Sequence, residues 1–128
     1  MTGRKWVSSG SPFEEPVGYS RATRVGDRVL VSGTAPVWPD GTCPEDATLQ
    51  ARRCFEIIEA ALSQLGATLS DIVRTRIFIT SVDDAAAIGS VHGELFAGTR
   101  PVTSMVVVAG LLDPRWKVEI EAEAVVDS

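Results

Sequence analysis

The run KVEIEAEAVV near the C-terminus sets Glu119, Glu121 and Glu123 at alternate positions, with Val118, Ile120, Ala122 and Ala124 between and beyond them. In an extended chain alternate side chains share a face, so the three carboxylates line up and repel one another unless water or cations offset them. The run DIVRTRIFIT supplies two such cations, Arg74 and Arg76, on one face of a second strand. An ion-pair ladder accounts for two of the glutamates. The third is then free to hold a water or polarise a substrate, work suited to a carboxylate at the rim of a cleft.

Arg100 opens the stretch RPVTSMVVV and precedes a proline, which favours extended backbone at the arginine. A guanidinium offers a carboxylate two parallel hydrogen bonds; the plainer role is a loop arginine in solvent or in a surface salt bridge. His92 is the only histidine, and its spacing sets it beside an apolar helical stripe as a hydrogen-bonded structural residue. Cys43 and Cys54 lack CxxC or Cys/His ligand spacing and read as reduced thiols. With one histidine they fall short of a zinc site, so no metal is expected. The sequence has no GxSxG elbow, phosphate-binding glycine loop, HExxH or dinucleotide fingerprint.

These residues need elements to hold them. Two strand-like runs at 19–25 and 28–33 flank Gly26-Asp27, a pair suited to a two-residue hairpin turn. After a Pro/Gly-rich loop, Asp46 caps a helix over 47–65, where Ala51, Phe55, Ile58, Leu62 and Leu65 form one stripe and Gly66 follows as the stop. A strand over 71–80 is expected to turn Val73, Thr75, Ile77 and Ile79 to one face. A second helix runs from Ser81, Asp83 or Asp84 to Phe96, with a stripe of Ile88, Val91 or His92, and Leu95. Gly89 and Gly93 within it hint at another backbone packed close. The segment 105–109 is apolar on alternate and intervening positions alike, which predicts burial of both faces, and a last strand covers 117–126. Hairpins at both ends with helices between strands make an α+β layer, a mixed sheet with two helices on one face. The other face then has nothing in this chain to cover it, which points to an oligomer.

A chain of 128 residues suits one domain, and 45% hydrophobic with 23% charged residues is globular rather than disordered composition. No apolar run reaches the roughly 20 residues of a membrane helix, and the N-terminus lacks the apolar stretch of a secretory signal, so a cytoplasmic protein with no membrane partner is expected. A formal net charge of −5 counts against a nucleic-acid partner.

Taken in order, GYSRATRVGDRVLVSGT, QLGA, SDIVRTRIFIT, RPVTSMVVV and VEIEAEAV resemble the RidA/YjgF family of reactive-intermediate deaminases over residues 19–126. The resemblance implies a single domain over 1–128 with a chorismate-mutase-like α+β fold. It also implies a homotrimer with ligand clefts between subunits, and hydrolysis of 2-imino acids or their enamine tautomers to 2-keto acids and ammonia. That reaction limits metabolite damage and needs no metal or organic cofactor.

By the same resemblance Glu119 orients the attacking water, and Tyr19, Ser32, Gly33, Thr103 and Met105 line the cleft for a small carboxylate or imine ligand. Deaminating members carry Pro-Ala-Arg-Ser, whose arginine grips the substrate carboxylate; this chain reads Pro101-Val102-Thr103-Ser104. Threonine there forfeits a charge-assisted contact of roughly 1.5–3 kcal/mol. Met105 stands where cysteine is frequent, and Gly89 where an asparagine often lines the cleft. Arg100 falls on the opposite face of an ideal strand from Thr103. Arg115, in the turn before the last strand, is the other candidate replacement. Two functional readings follow: a deaminase-type hydrolase of amino-acid-derived imines or enamines, and a non-catalytic, metabolite-binding or regulatory trimer. RNA cleavage, attached to some relatives, sits poorly with the acidic charge.

Overall fold

Gly26 adopts a positive φ of 63°, the conformation a tight two-residue turn demands and a glycine takes without steric cost. It joins β2 (Ala22–Val25) to β3 (Arg28–Thr34), paired antiparallel with Val25 opposite Arg28. In the computed structural model, which describes residues 3–127, this hairpin supplies the second and third strands of a six-stranded sheet ordered β1-β2-β3-β6-β4-β5. The remaining strands are β1 (Arg4–Val7), β4 (Ile72–Ile79), β5 (Val102–Val107) and β6 (Val118–Val125). All neighbours run antiparallel except β4 and β5. Those two are parallel and therefore need a helical crossover between them.

Helix α2 (Ala47–Gln64) starts at Asp46, whose side chain accepts from the Leu49 N–H, and stops before Gly66. Helix α3 (Ala85–Phe96) is entered through a single turn in which Ser81 caps the Asp83 N–H. Phe55, Ile58 and Leu62 of α2 and Ile88 and Val91 of α3 pack against Val29, Val31, Ile77, Ile79 and Ile120 of the sheet. Burying each such side chain contributes about 1.5–3 kcal/mol, and this layer is the core.

Several expectations are corrected. Val73 is exposed while Ile72 is buried, because the β4–β6 register shifts between Ile72 and Arg74 and the bulge turns Val73 outward. Phe96, not Leu95, closes the α3 stripe, one turn beyond His92. Within the single chain β5 is an edge strand paired only with β4, and Val106 and Val107 are about half exposed, so burying both faces of 105–109 takes contacts from outside the chain. Among the described residues nothing lies within 4 Å of a Cβ built on Gly93, and only the Met105 methyl does so for Gly89. Arg100 is not extended but left-handed, at φ 52°, and its N–H closes the end of α3 by donating to the Phe96 carbonyl at 2.8 Å. Ending the helix outweighs the pre-proline preference. Two short elements were not foreseen at all, β1 and helix α1 (Glu14–Val17).

The sheet face opposite the helices carries Leu30, Arg74, Arg76, Val106, Glu121 and Glu123, and no element of the described chain covers it.

Candidate functional site

The three glutamates of β6 separate by environment. Glu121 meets Arg76 Nη1 at 2.8 Å, and Glu123 lies 3.8 Å from the same nitrogen and 3.7 Å from Arg28. Arg74, expected in the ladder, pairs with no carboxylate among the described residues. Glu119, opposite Phe78, has no ion pair there either. It is half-buried, and burial pushes its carboxyl above the ordinary range; Arg21 pulls it back and Glu121 adds to the rise.

Glu119 presses against the backbone of β3. A Cβ on Gly33 would lie 2.6 Å from Glu119 Oε2, so glycine is what lets the carboxylate lie there. The β3–β6 register shifts between Val31 and Thr34, which bends the chain around Ser32 and Gly33. Ser32 Oγ donates to the Ser20 carbonyl at 2.7 Å, tying the start of β2 to this bend.

Glu119, Gly33, Tyr19, Trp116 and Arg21 line one cavity of about 540 Å³, walled further by α2 and by residues 8–13. Arg21 is the residue that sequence reasoning missed. It is only 5% exposed. Its Nη1 donates to the Gly33 carbonyl at 2.6 Å and to Thr34 Oγ1 at 3.1 Å, and its Nε to Ser9 Oγ at 3.3 Å. The guanidinium also stands 5.6 Å over the Tyr19 ring. Glu14, equally buried, approaches Arg21 Nη2 at 3.8 Å. Burial would raise the Glu14 carboxyl, but the Ser9 and Ser8 hydroxyls, the Ser9 N–H and Arg21 together hold it below the ordinary range. The signal was available: the alternation of GYSRATRV places Tyr19 and Arg21 on one side of the chain.

Thr103 and Met105 belong to a different place, on β5 opposite Thr75 and Ile77. Thr75 Oγ1 donates to Thr103 Oγ1 at 2.7 Å and, its proton so committed, accepts from His92 Nε2 at 2.8 Å. Burial lowers the His92 pKa, and its ring packs on Phe55 and Phe96. Neither Thr103 nor Met105 lines the Glu119 cavity of this chain, nor does Arg100. Arg115 is held by Asp113, with donors at 2.9 and 3.1 Å, and by the Gly41 carbonyl at 3.0 Å. The described residues hold no cluster of three His, Cys, Asp or Glu side chains placed to bind a metal ion.

A family model described as Endoribonuclease L-PSP matches residues 12–126. The chain belongs to the RidA/YjgF family. A member of the YjgF/YER057c/UK114 family from Mycobacterium tuberculosis has the same fold at a TM-score of 0.90, with 48% identity over 97% of this chain and all of that one. The YjgF structure from Escherichia coli superposes with a TM-score of 0.83, at 30% identity over 94% of this chain and 98% of that chain. A 2-iminobutanoate/2-iminopropanoate deaminase of Salmonella typhimurium is 36% identical over 112 residues, 84% of this chain and 86% of that protein. The RidA/YjgF family thus accounts for the single α+β layer and its element order.

Proposed function

We propose that the protein is a deaminase-type hydrolase of small imines or enamines derived from amino acids, releasing keto acid and ammonia. The observation that carries this reading is Glu119, a half-buried carboxylate without an ion-pair partner among the described residues, set in a cavity beside Tyr19 and Gly33. A carboxyl raised toward neutrality serves general acid–base work better than one at its ordinary value. Glu119 takes a proton from water as the oxygen adds to the imine carbon. It returns that proton to the nitrogen, giving a carbinolamine; it then takes the hydroxyl proton and passes it to the amino group as the C–N bond breaks, leaving a carbonyl and ammonia. The deaminase named among the relatives supports the reaction class.

In this reading the active unit is a homotrimer whose clefts are completed between subunits. The uncovered sheet face and the unpaired edge of β5 favour association. A neighbouring copy would bring its Thr103 and Met105 toward the Glu119 cavity. Sedimentation should then give a mass three times 13.6 kDa. The direct test generates 2-iminopropanoate with an amino-acid oxidase and times ammonia release with and without the protein; acceleration abolished by Glu119→Gln is expected, and no acceleration by the folded oligomer removes this substrate.

A second reading, a non-catalytic binder of a small metabolite, is favoured by one observation. The hydroxyl of Thr103, at the position where the family resemblance leads one to expect a carboxylate-binding arginine, is engaged with Thr75 in a chain that ends on His92. A keto acid that binds without any turnover of the imine would select it.

A further inference from the structure

We propose that Arg21 is the carboxylate anchor of the Glu119 cavity, supplying from the β2 side of the site the cation that Thr103 does not supply from β5. This rests on the reading of that cavity as the ligand site and names the feature of the ligand that it recognises, a single carboxylate attached to the reacting carbon.

Three of the five guanidinium N–H groups are fixed by the protein. Both Nη1 donors go to β3, at the Gly33 carbonyl and Thr34, and the Nε donor goes to Ser9. The Nη2 donors have no hydrogen bond among the described residues; their nearest carboxylate, Glu14, stands at 3.8 Å, beyond hydrogen-bond length. No fully buried side-chain polar atom is left without a partner in the described chain, so Nη2 is not wholly sealed from solvent, and Arg21 lines the cavity. A guanidinium clamped on one side with donors left on the other is arranged to receive an anion.

Glu14 is a poor competitor for those donors. Its Oε2 already takes the Ser9 N–H at 3.1 Å, the Ser9 hydroxyl at 2.6 Å and the Ser11 N–H at 3.4 Å. It offsets the charge of Arg21 enough to keep the guanidinium buried, while Ser9 and Ser11 occupy its Oε2. The clamp also sets the anchor relative to the chemistry. Arg21 grips the carbonyl of Gly33, and Gly33 is the residue against which Glu119 lies. A carboxylate on Nη2 would therefore hold the adjoining carbon within the same cavity as Glu119.

The test compares pyruvate with pyruvamide, which keeps the shape of the probe and removes its charge, using ligand-observed NMR titration on the whole oligomer. The wild-type protein is expected to prefer pyruvate, and Arg21→Gln to lose roughly 10- to 100-fold of that preference while its affinity for pyruvamide changes little. Arg21→Lys, which keeps the charge but not the fork, should fall between them. Because Arg21→Gln leaves Glu14 buried beside a neutral group, Glu14→Gln/Arg21→Gln is measured alongside, with circular dichroism confirming the fold of each. An unchanged pyruvate-to-pyruvamide ratio in either folded variant, or no preference in the wild type, overturns the proposal and leaves Arg21 a structural clamp. Imine turnover distinguishes this from failure of the functional reading. Arg21-dependent carboxylate preference without turnover retains the anchor and removes the hydrolase, and turnover whose KM is indifferent to Arg21→Gln does the reverse.

Discussion

Glu119 and Glu121 are two residues apart on one strand, point to the same side by alternation, and live in different worlds. Glu121 is partly exposed and paired with Arg76 at 2.8 Å; its neighbourhood is an ion-pair ladder across a bare sheet face. Glu119 faces a backbone bend at Gly33 and a buried arginine whose donors are mostly taken. The ladder neutralises its carboxylates with exposed surface cations. The cavity withholds such a partner and leaves its carboxylate raised. Charge that is paired in solvent contributes little and does little, whereas charge half-removed from water without a partner is held ready to accept or give a proton.

The largest effect expected from breaking this contrast is on turnover: Glu119→Gln should lower the rate of ammonia release from 2-iminopropanoate by roughly 10²- to 10⁴-fold, while Glu121→Gln leaves it within about threefold. Next comes Gly33→Ala. The added methyl meets the far end of the Glu119 side chain, which can swing away, so the melting temperature should change little. The displaced carboxylate should nonetheless lower turnover by about tenfold or more.

The pH dependence of stability sharpens the comparison further. Since folding raises the Glu119 pKa, the folded chain keeps a proton that the unfolded chain has released between the ordinary and the raised value. Stability contributed by this group is therefore present below that window and lost as pH rises through it. Glu119→Gln should melt higher than wild type at pH 7, with the gap closing as pH falls through the window; a gap that widens on acidification would contradict the assigned sign. The smallest effect belongs to the ladder. Arg76→Ala should shift the urea-unfolding midpoint only slightly, and less in high salt, because both partners are substantially exposed.

Much of the scaffold was legible in the sequence. Helix α2 has a one-sided apolar stripe, a capping aspartate and a glycine stop, and all three agree. The β2–β3 hairpin is marked by Gly26-Asp27. Strand β1 escaped notice because RKWV is four residues long and mostly exposed, with no periodicity to detect, and α1 is a single turn. Val73 was misplaced because a bulge resets alternation by one residue, and the need for it arises only when β4 meets β6. Alternation grouped Glu119 with two other glutamates and went no further.

By itself the sequence determined the order of the strands and helices from β2 onward, the bare sheet face and the family, since these follow from periodicity, turn residues and a run of motifs that stay together. The tertiary structure decided which charges meet. Arg21 and Glu14 lie near one another in the chain, but their burial beside Gly33 and Glu119 depends on β3 bending at Ser32-Gly33 and on β6 pairing with it. That choice is made by packing between distant segments, where the cost of burying a charge is offset only by partners no local pattern announces.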